Sequence, residues 1–356
     1  MNLRVLIAED SSLFVEVLTE LLEDAPGIEI AGVADNGVDA VSLCQSLRPD
    51  IVLMDIHMPR QDGLSATEEI MATCPTPILV ITSDPHHGGV DLSFRALSLG
   101  ALDLMAKPQS LPISETDRAN LLRKIHLLSQ IPVVRHVRGR RRRAARPTVP
   151  ARPSATRRSP DTVPMVLGIV ASTGGPRALA RLCTEIPETF PGTLLIVQHI
   201  TDGFTRHLAR WLDKHSPLSV LEGVAGHPLS PGEIVIAPTG HHLTVGPDHR
   251  LQIDDGPPIG GHRPSGDRLL MSLAQHAPDR AAGLILSGMG NDGAAGLAAL
   301  HRAGCPTLAQ DEDTSVVYGM PRAAIEDGVV DQVLPDSALA TAVEDLLNSR
   351  FRGGDS

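Results

Sequence analysis

Aromatic residues are nearly missing. One tryptophan, one tyrosine and five phenylalanines amount to 2% of 356 residues, so any core must be aliphatic. Cysteine is as thin. Cys44, Cys74, Cys183 and Cys305 are widely scattered with no C-x-x-C pair. That excludes a disulfide framework and a zinc site of paired cysteines, and it fits buried thiols in a reducing cytosol. No run of about 18 apolar residues occurs, so no membrane span is expected. The opening MNLRVLIAED passes straight into a strand pattern and has no signal-peptide character, which points to a cytoplasmic protein. Acidic residues are absent between Asp117 and Asp161, although the whole chain carries a net charge of −11. That interval instead holds Lys124 and arginines 118, 123, 135, 138, 140, 141, 142, 143, 146, 152, 157 and 158.

Apolar residues make up 42% of the chain, enough for real cores, and the length exceeds one ordinary domain. Two domains are expected. Histidines number fifteen. The pairs His86-His87 and His241-His242 fall in Gly- and Pro-containing stretches and read as exposed loop residues.

Residues 1–128 alternate strand and helix patterns. LRVLIA ends at Glu9-Asp10, DIVLMD at Asp55, PILVIT at Thr82 and ALDLMA at Lys107-Pro108. GIEIAGVA is a further strand. Helical spacing marks SSLFVEVLTELLED, GVDAVSLCQSL, SATEEIMATC, VDLSFRALSLG and a last helix over 115–128. Five strand–helix pairs make a flavodoxin-like (βα)5 fold, whose working residues lie at the carboxyl ends of the strands. Those ends carry Glu9, Asp10, Asp55, Thr82 and Lys107. Carboxylates converging on one rim repel unless a cation joins them, and a hard oxygen set suits Mg²⁺. A lysine beside them can neutralise an incoming phosphoryl group.

This constellation, with Asp55 inside MDIHMPRQDG, resembles the receiver domain of bacterial response regulators. The resemblance implies that Asp55 accepts a phosphoryl group from a histidine kinase. Glu9, Asp10 and Asp55 would hold Mg²⁺, while Thr82 and Lys107 contact the phosphoryl oxygens. Leu104 departs from the pattern, since receivers usually carry an aromatic switch residue there.

Residues 129–162 are rich in Arg, Pro and Ser and lack hydrophobic periodicity, as a flexible linker does. Arg140 to Arg143 could contact an acidic surface or nucleic acid, but the segment has no aromatics for base stacking and no helix-turn-helix beside it. A solvated linker is the favoured reading, and no nucleic-acid partner is expected.

A second domain over 163–350 is again α/β, doubly wound and mostly parallel, with a hairpin between HHLTVG and LQID. Residues 351–356, FRGGDS, read as a disordered tail. In VPMVLGIVASTGGPRALARL, a buried strand runs into Ser172-Thr173-Gly174-Gly175-Pro176 and then a helix. Ser172 there is open to three readings: an N-cap, part of a phosphate-binding turn, or a nucleophile beside unpaired helix N–H groups. The stretch matches neither nucleotide-binding glycine motif nor the G-x-S-x-G elbow. Two further strand ends carry His199 and Asp292, so Ser, His and Asp can meet above one sheet edge as a triad requires.

The stretches ASTGGPRAL, IVQHITDGFTRHLA, EIVIAPTGHHL, HRPSGDRLL, LILSGMGNDGAAGL and AQDEDTSVVYGMPRAAI are similar to the catalytic domain of the chemotaxis protein-glutamate methylesterases, the CheB family. Departures are small: Thr201 and Asp202 stand where prolines are common, and Gly266 where a larger apolar residue is common. The resemblance implies a serine hydrolase that demethylates glutamate methyl esters on the cytoplasmic domains of chemoreceptors, releasing methanol. It also implies deamidation of specific glutamines. Ser172 would be the nucleophile, His199 its base and Asp292 the partner of the imidazole. Backbone N–H groups of Thr173 and Met289 would hold the oxyanion, and the esterase would need no cofactor. The Thr173 hydroxyl is open to two roles, positioning or a second N-cap. A chemotaxis histidine kinase would be the phosphodonor, and the unphosphorylated receiver would cover the Ser172 cleft. Two rivals are a receiver joined to a nucleic-acid-binding output and a retired scaffold that only docks; the three intact strand-end side chains argue against both.

Overall fold

The computed structural model describes residues 2–82, 90–108, 113–133, 164–201 and 203–352. In the N-terminal part, β1 (Leu3–Ala8), α1 (Ser12–Glu23), β2 (Ile28–Ala34), α2 (Gly37–Leu47), β3 (Ile51–Met54), α3 (Gly63–Thr73), β4 (Ile78–Thr82), α4 (Val90–Ser98), β5 (Asp103–Ala106) and α5 (Glu115–Leu128) alternate. The five strands are parallel in the order β2-β1-β3-β4-β5, the flavodoxin-like arrangement. Strand β3, IVLM, is buried throughout, as a strand covered on both faces must be.

Polar residues set the helix starts. Ser11, Asn36, Asp62 and Ser114 each accept a backbone N–H from the first turn behind them. Such caps stabilise a helix by about 1 kcal/mol each. The Asp62 cap explains why α3 begins at Gly63 rather than at the expected Ser65. The Gly63 amide also donates to the Ile56 carbonyl at 2.9 Å, and a Cβ at Gly63 would collide with the Asp55 carbonyl oxygen. Only glycine lets the loop close this tightly around Asp55.

The C-terminal part contains β6 (Val166–Ala171), α6 (Gly175–Glu185), β7 (Thr193–Gln198), α7 (Thr205–Asp213), β8 (Ser219–Glu222), β9 (Glu233–Ile236), β10 (His242–Val245), β11 (Leu251–Asp254), α8 (Gly266–His276), β12 (Ala281–Ile285), α9 (Ala294–Arg302), β13 (Thr307–Gln310), α10 (Met320–Glu326), β14 (Gln332–Leu334) and α11 (Leu339–Arg352). A seven-stranded parallel sheet runs β14-β13-β12-β6-β7-β9-β8. The chain builds outward from β6 through β7, then returns to place β12 on the other side of β6. That reversal opens a crevice at the carboxyl ends of the central strands. Strands β10 and β11 form a separate antiparallel hairpin that packs on α8.

Several expectations change in detail. Thr201, Gly203 and Phe204 are not helical: Phe204 N–H closes a turn on Thr201, Gly203 has φ +85°, and α7 starts only at Thr205. His242 is not an exposed loop residue. It begins β10 and is 1% exposed, with Nε2 facing the Pro257 carbonyl and Nδ1 accepting the Ser265 N–H. His241 is exposed, and His86-His87 lie outside the described residues. Ile131 and Val133, assigned to the linker, pack against the receiver core. The basic run Arg140–Arg143 lies outside the described residues. Helix α11 continues through Phe351 and Arg352 of the expected tail. All four cysteines are buried and none forms a disulfide.

The two parts share one apolar cluster, in which α4 of the receiver packs against α6 and α7. Phe94 of α4 stacks on Trp211 of α7 at 5.3 Å between ring centroids and meets Phe204 edge-on at 6.4 Å.

Candidate active site

Strand register brings the nucleophile and base candidates together. Ala171 of β6 pairs with Gln198 of β7, so Ser172 and His199 leave adjacent strands side by side. The His199 N–H donates to the Ala171 carbonyl at 2.9 Å, and the Ser172 N–H donates to the Ser287 carbonyl at 3.0 Å. Gln198 ties the pair from below, its Nε2 donating to the Ser172 and His199 carbonyls at 2.8 and 3.0 Å. Ser172 is not an N-cap: Gly174 caps α6, with φ +80°, and no side chain bonds the helix start. A left-handed residue there favours glycine.

Asp292 completes the arrangement from the turn before α9. It is 5% exposed and accepts four hydrogen bonds: His199 Nε2 at 2.8 Å, Ser265 Oγ at 2.7 Å, and the N–H groups of Gly266 and Asp267 at 2.6 and 3.1 Å. Burial pushes this carboxyl up, but His199 and the Gly266 and Ser265 donors outweigh it and hold the pKa at about 2. An ionised carboxylate can only accept, so His199 Nε2 carries the proton. Nδ1 then presents its lone pair. That atom is buried and has no hydrogen-bond partner among the described residues.

Helices α8 and α9 cap one another. Asp292, just ahead of α9, receives the first amides of α8; Asp267, inside α8, receives the Gly293 and Gly296 amides of α9 at 2.9 and 2.8 Å. Each carboxylate meets the positive end of the opposite helix. Burial raises the Asp267 pKa, and the charge on Asp292 adds to that, while the amides oppose it.

The candidate oxyanion donors flank Ser172. No described acceptor engages the Thr173 or Met289 N–H. Gly288 lets the Met289 turn approach, since a Cβ there would lie 2.8 Å from Ser172 Cβ. The Thr173 hydroxyl does not cap α6, whose cap is Gly174. It donates to Asp103 Oδ2 of the receiver strand β5 at 3.0 Å. Lys124 of α5 pairs with the same carboxylate.

Sequence reasoning missed three more residues. Gln198 and Ser265 hold backbone and carboxylate as described, and His262 stacks face to face on His199 at 4.0 Å with 10° between the rings. Burial and the His199 and Arg123 charges push the His262 pKa down to about 4, against the pull of Asp292. The signal lay in HRPSGD, where both His262 and Ser265 stand.

In the receiver, Glu9, Asp10 and Asp55 bring carboxylate oxygens within 4.8 Å of one another. Lys107 Nζ reaches Glu9 at 2.6 Å and Asp55 at 2.9 Å. Burial and the Asp55 charge raise the Glu9 pKa despite Lys107. An oxygen-only set under this strain fits a divalent cation. Thr82 is buried beside it, its carbonyl accepting the Lys107 N–H at 2.8 Å. Leu104 is buried and apolar, and its neighbour Asp103 makes the contact that crosses to Thr173.

Residues 167–343 match the family described as CheB methylesterase, and residues 5–113 the response regulator receiver domain. A protein-glutamate methylesterase/protein-glutamine glutaminase of Anaeromyxobacter dehalogenans is 46% identical over 345 residues, 97% of each chain. One from Myxococcus xanthus is 42% identical over 358 residues, covering 99% of this chain and 96% of its own. The crystal structure of the Thermotoga maritima CheB methylesterase catalytic domain is 34% identical and superposes with a TM-score of 0.51, covering 52% of this chain and 100% of that one. Likeness at this level runs over nearly the whole length of the curated relatives and takes in both domains, so the chain belongs to the CheB methylesterase family, with a response regulator receiver domain in front of the catalytic domain.

Proposed function

We propose that Ser172, His199 and Asp292 hydrolyse glutamyl methyl esters on the cytoplasmic domains of chemoreceptors, with receiver phosphorylation at Asp55 as the control. The observation that carries this reading is the His199 ring: Nε2 is bound to an ionised Asp292, Nδ1 is buried with no hydrogen-bond partner among the described residues, and strand register sets His199 next to Ser172. His199 Nδ1 takes the serine proton as Oγ attacks the ester carbonyl, then delivers it to the departing methoxide as methanol. Asp292 keeps the tautomer and stabilises the imidazolium without taking the proton. The Thr173 and Met289 amides hold the oxyanion; deletion of one such donor typically costs about 3–4 kcal/mol of transition-state stabilisation. Water admitted to the acyl-enzyme repeats the sequence and frees the glutamate. A glutamine amide can enter the same cycle with ammonia as the leaving group.

Glu9, Asp10 and Asp55 would hold Mg²⁺, which neutralises charge on the incoming phosphoryl group. Lys107, now shared by Glu9 and Asp55, would turn to the phosphoryl oxygens together with Thr82. Its backbone is tied to the end of β4, close to the β5 residues that meet the catalytic domain. That link gives phosphorylation a route to the Asp103–Thr173 contact. The phosphodonor is a chemotaxis histidine kinase and the site of action is the cytoplasm. No described helix is long and apolar enough to cross a membrane.

The test is methanol release from a methylated chemoreceptor cytoplasmic fragment, with and without a small phosphodonor and Mg²⁺, for wild type, Ser172→Ala and Asp55→Ala. Release should require Ser172 and should rise with phosphodonor only when Asp55 is present. Wild-type release by a folded Ser172→Ala protein would end the nucleophile assignment.

A further inference from the structure

We propose that His262 is a positioning residue for the hydrolysis, its imidazole face holding the His199 ring so that Nε2 stays on Asp292 and Nδ1 faces Ser172. The inference rests on the triad reading above and adds to it.

A histidine ring turns about a broad, two-fold χ2 torsion, so one hydrogen bond fixes one nitrogen and not the plane. The Nε2 bond to Asp292 is the only hydrogen bond of the His199 ring among the described residues. What fixes the plane is His262, whose ring lies parallel at 4.0 Å. The edge of His262 makes no hydrogen bond to a described residue, so its contribution is the face. The backbone beneath it is firm. Ile259 and His262 exchange reciprocal N–H to carbonyl bonds of 3.0 and 2.9 Å, closing a turn through Gly260 and Gly261, both in the left-handed region. The chain then runs directly to Ser265, whose hydroxyl holds Asp292 at 2.7 Å. Residues 262–267 therefore set both the plane of His199 and the carboxylate at its edge.

The electrostatics suit a working base. His262 is held neutral at neutral pH by burial and by the nearby His199 and Arg123 charges. When His199 becomes an imidazolium, it meets a neutral π face rather than a like charge. An unsupported ring would spend much of its time rotated away from Ser172, and small misplacements of a reacting group can cost about 100-fold in rate.

The experiment uses the full-length chain with phosphodonor and Mg²⁺ in the methanol-release assay. Variants are His262→Ala, His262→Gln and His262→Phe, with Ser172→Ala as control. Phenylalanine keeps a flat face and removes both nitrogens; glutamine keeps polarity and removes the face. The expected result is a fall in kcat of about 10–100-fold for Ala and Gln with KM little changed, and recovery to within about three-fold of wild type for Phe. If Ala does not fold, Phe against Gln decides the matter. Phe as impaired as Gln, or Ala as fast as wild type, would overturn the proposal. Ser172→Ala activity at the wild-type level would instead remove the triad reading on which it rests.

Discussion

The Thr173 hydroxyl donates to the Asp103 carboxylate across the two domains at 3.0 Å, and both residues are buried. Thr173 follows the nucleophile candidate directly, and Asp103 opens the last receiver strand. Among the described residues, this buried polar contact joins the catalytic rim to the receiver. Lys124 pairs with the same carboxylate, so the link extends into α5.

Breaking this link should loosen the closed arrangement. A hydrogen bond to a charged group contributes about 1.5–3 kcal/mol, which corresponds to about ten-fold or more in a closed-to-open ratio. Asp103→Ala is expected to raise methanol release without phosphodonor several-fold and to shrink the further gain on adding it. An unchanged basal rate would show that apolar packing around Phe94 alone holds the domains.

Asp292→Asn keeps size and removes charge. The amide can donate to Nε2 and stabilise the opposite tautomer, putting the proton on the nitrogen that must accept one. By analogy with tautomer loss in other triads, kcat should drop by about 10⁴ while the circular dichroism spectrum is kept. A drop below ten-fold would show that Asp292 does not set the tautomer.

Much of this was legible in the chain. The strand ends at Glu9, Asp55, Thr82, Lys107, Ser172 and His199 follow from short apolar runs, because parallel strands end where their burial ends. The route of Asp292 was legible only in part. Its turn was evident from Gly288, Gly290 and Gly293, but not that its carboxylate caps α8. Such contacts join residues far apart in sequence and leave no periodic mark. His242 shows the same limit: its turn-rich surroundings suggested exposure, yet β10 is buried on both faces. Thr173 was ambiguous for a different reason, since its partner belongs to another domain.

Acid should act through His262 before it acts through Asp292. His262 has a folded pKa of about 4 against 6.5 for the free side chain, so the unfolded chain takes its proton first. Its contribution is fully present above pH 6.5 and is lost as pH falls towards 4. His199, Asp292 and Arg123 are the charged neighbours that shape this window. Asp292 is opposite in chemistry and the same in sign: its carboxylate is favoured by folding, so its contribution of about 2 kcal/mol is present above pH 3.8 and lost as pH falls through about 2. His262→Phe should therefore flatten the dependence of the urea midpoint on pH between 6.5 and 4. Identical slopes for variant and wild type would contradict this assignment.

Asp267→Ala removes one half of the mutual capping of α8 and α9. Loss of such a cap costs about 1–2 kcal/mol, or a melting temperature lower by about 2–4 °C per kcal/mol in a domain of this size. Activity should fall as well, because the freed end of α9 carries Asp292. A variant that melts lower with unchanged kcat would separate the cap from the placement of the carboxylate.

The Phe94–Trp211 stack has an optical consequence. The chain holds a single tryptophan, and that indole is 8% exposed against a receiver ring. All tryptophan emission comes from this one seam. Parting the domains would wet the indole and shift its fluorescence to the red, so the protein carries its own unlabelled gauge of when the receiver lets go.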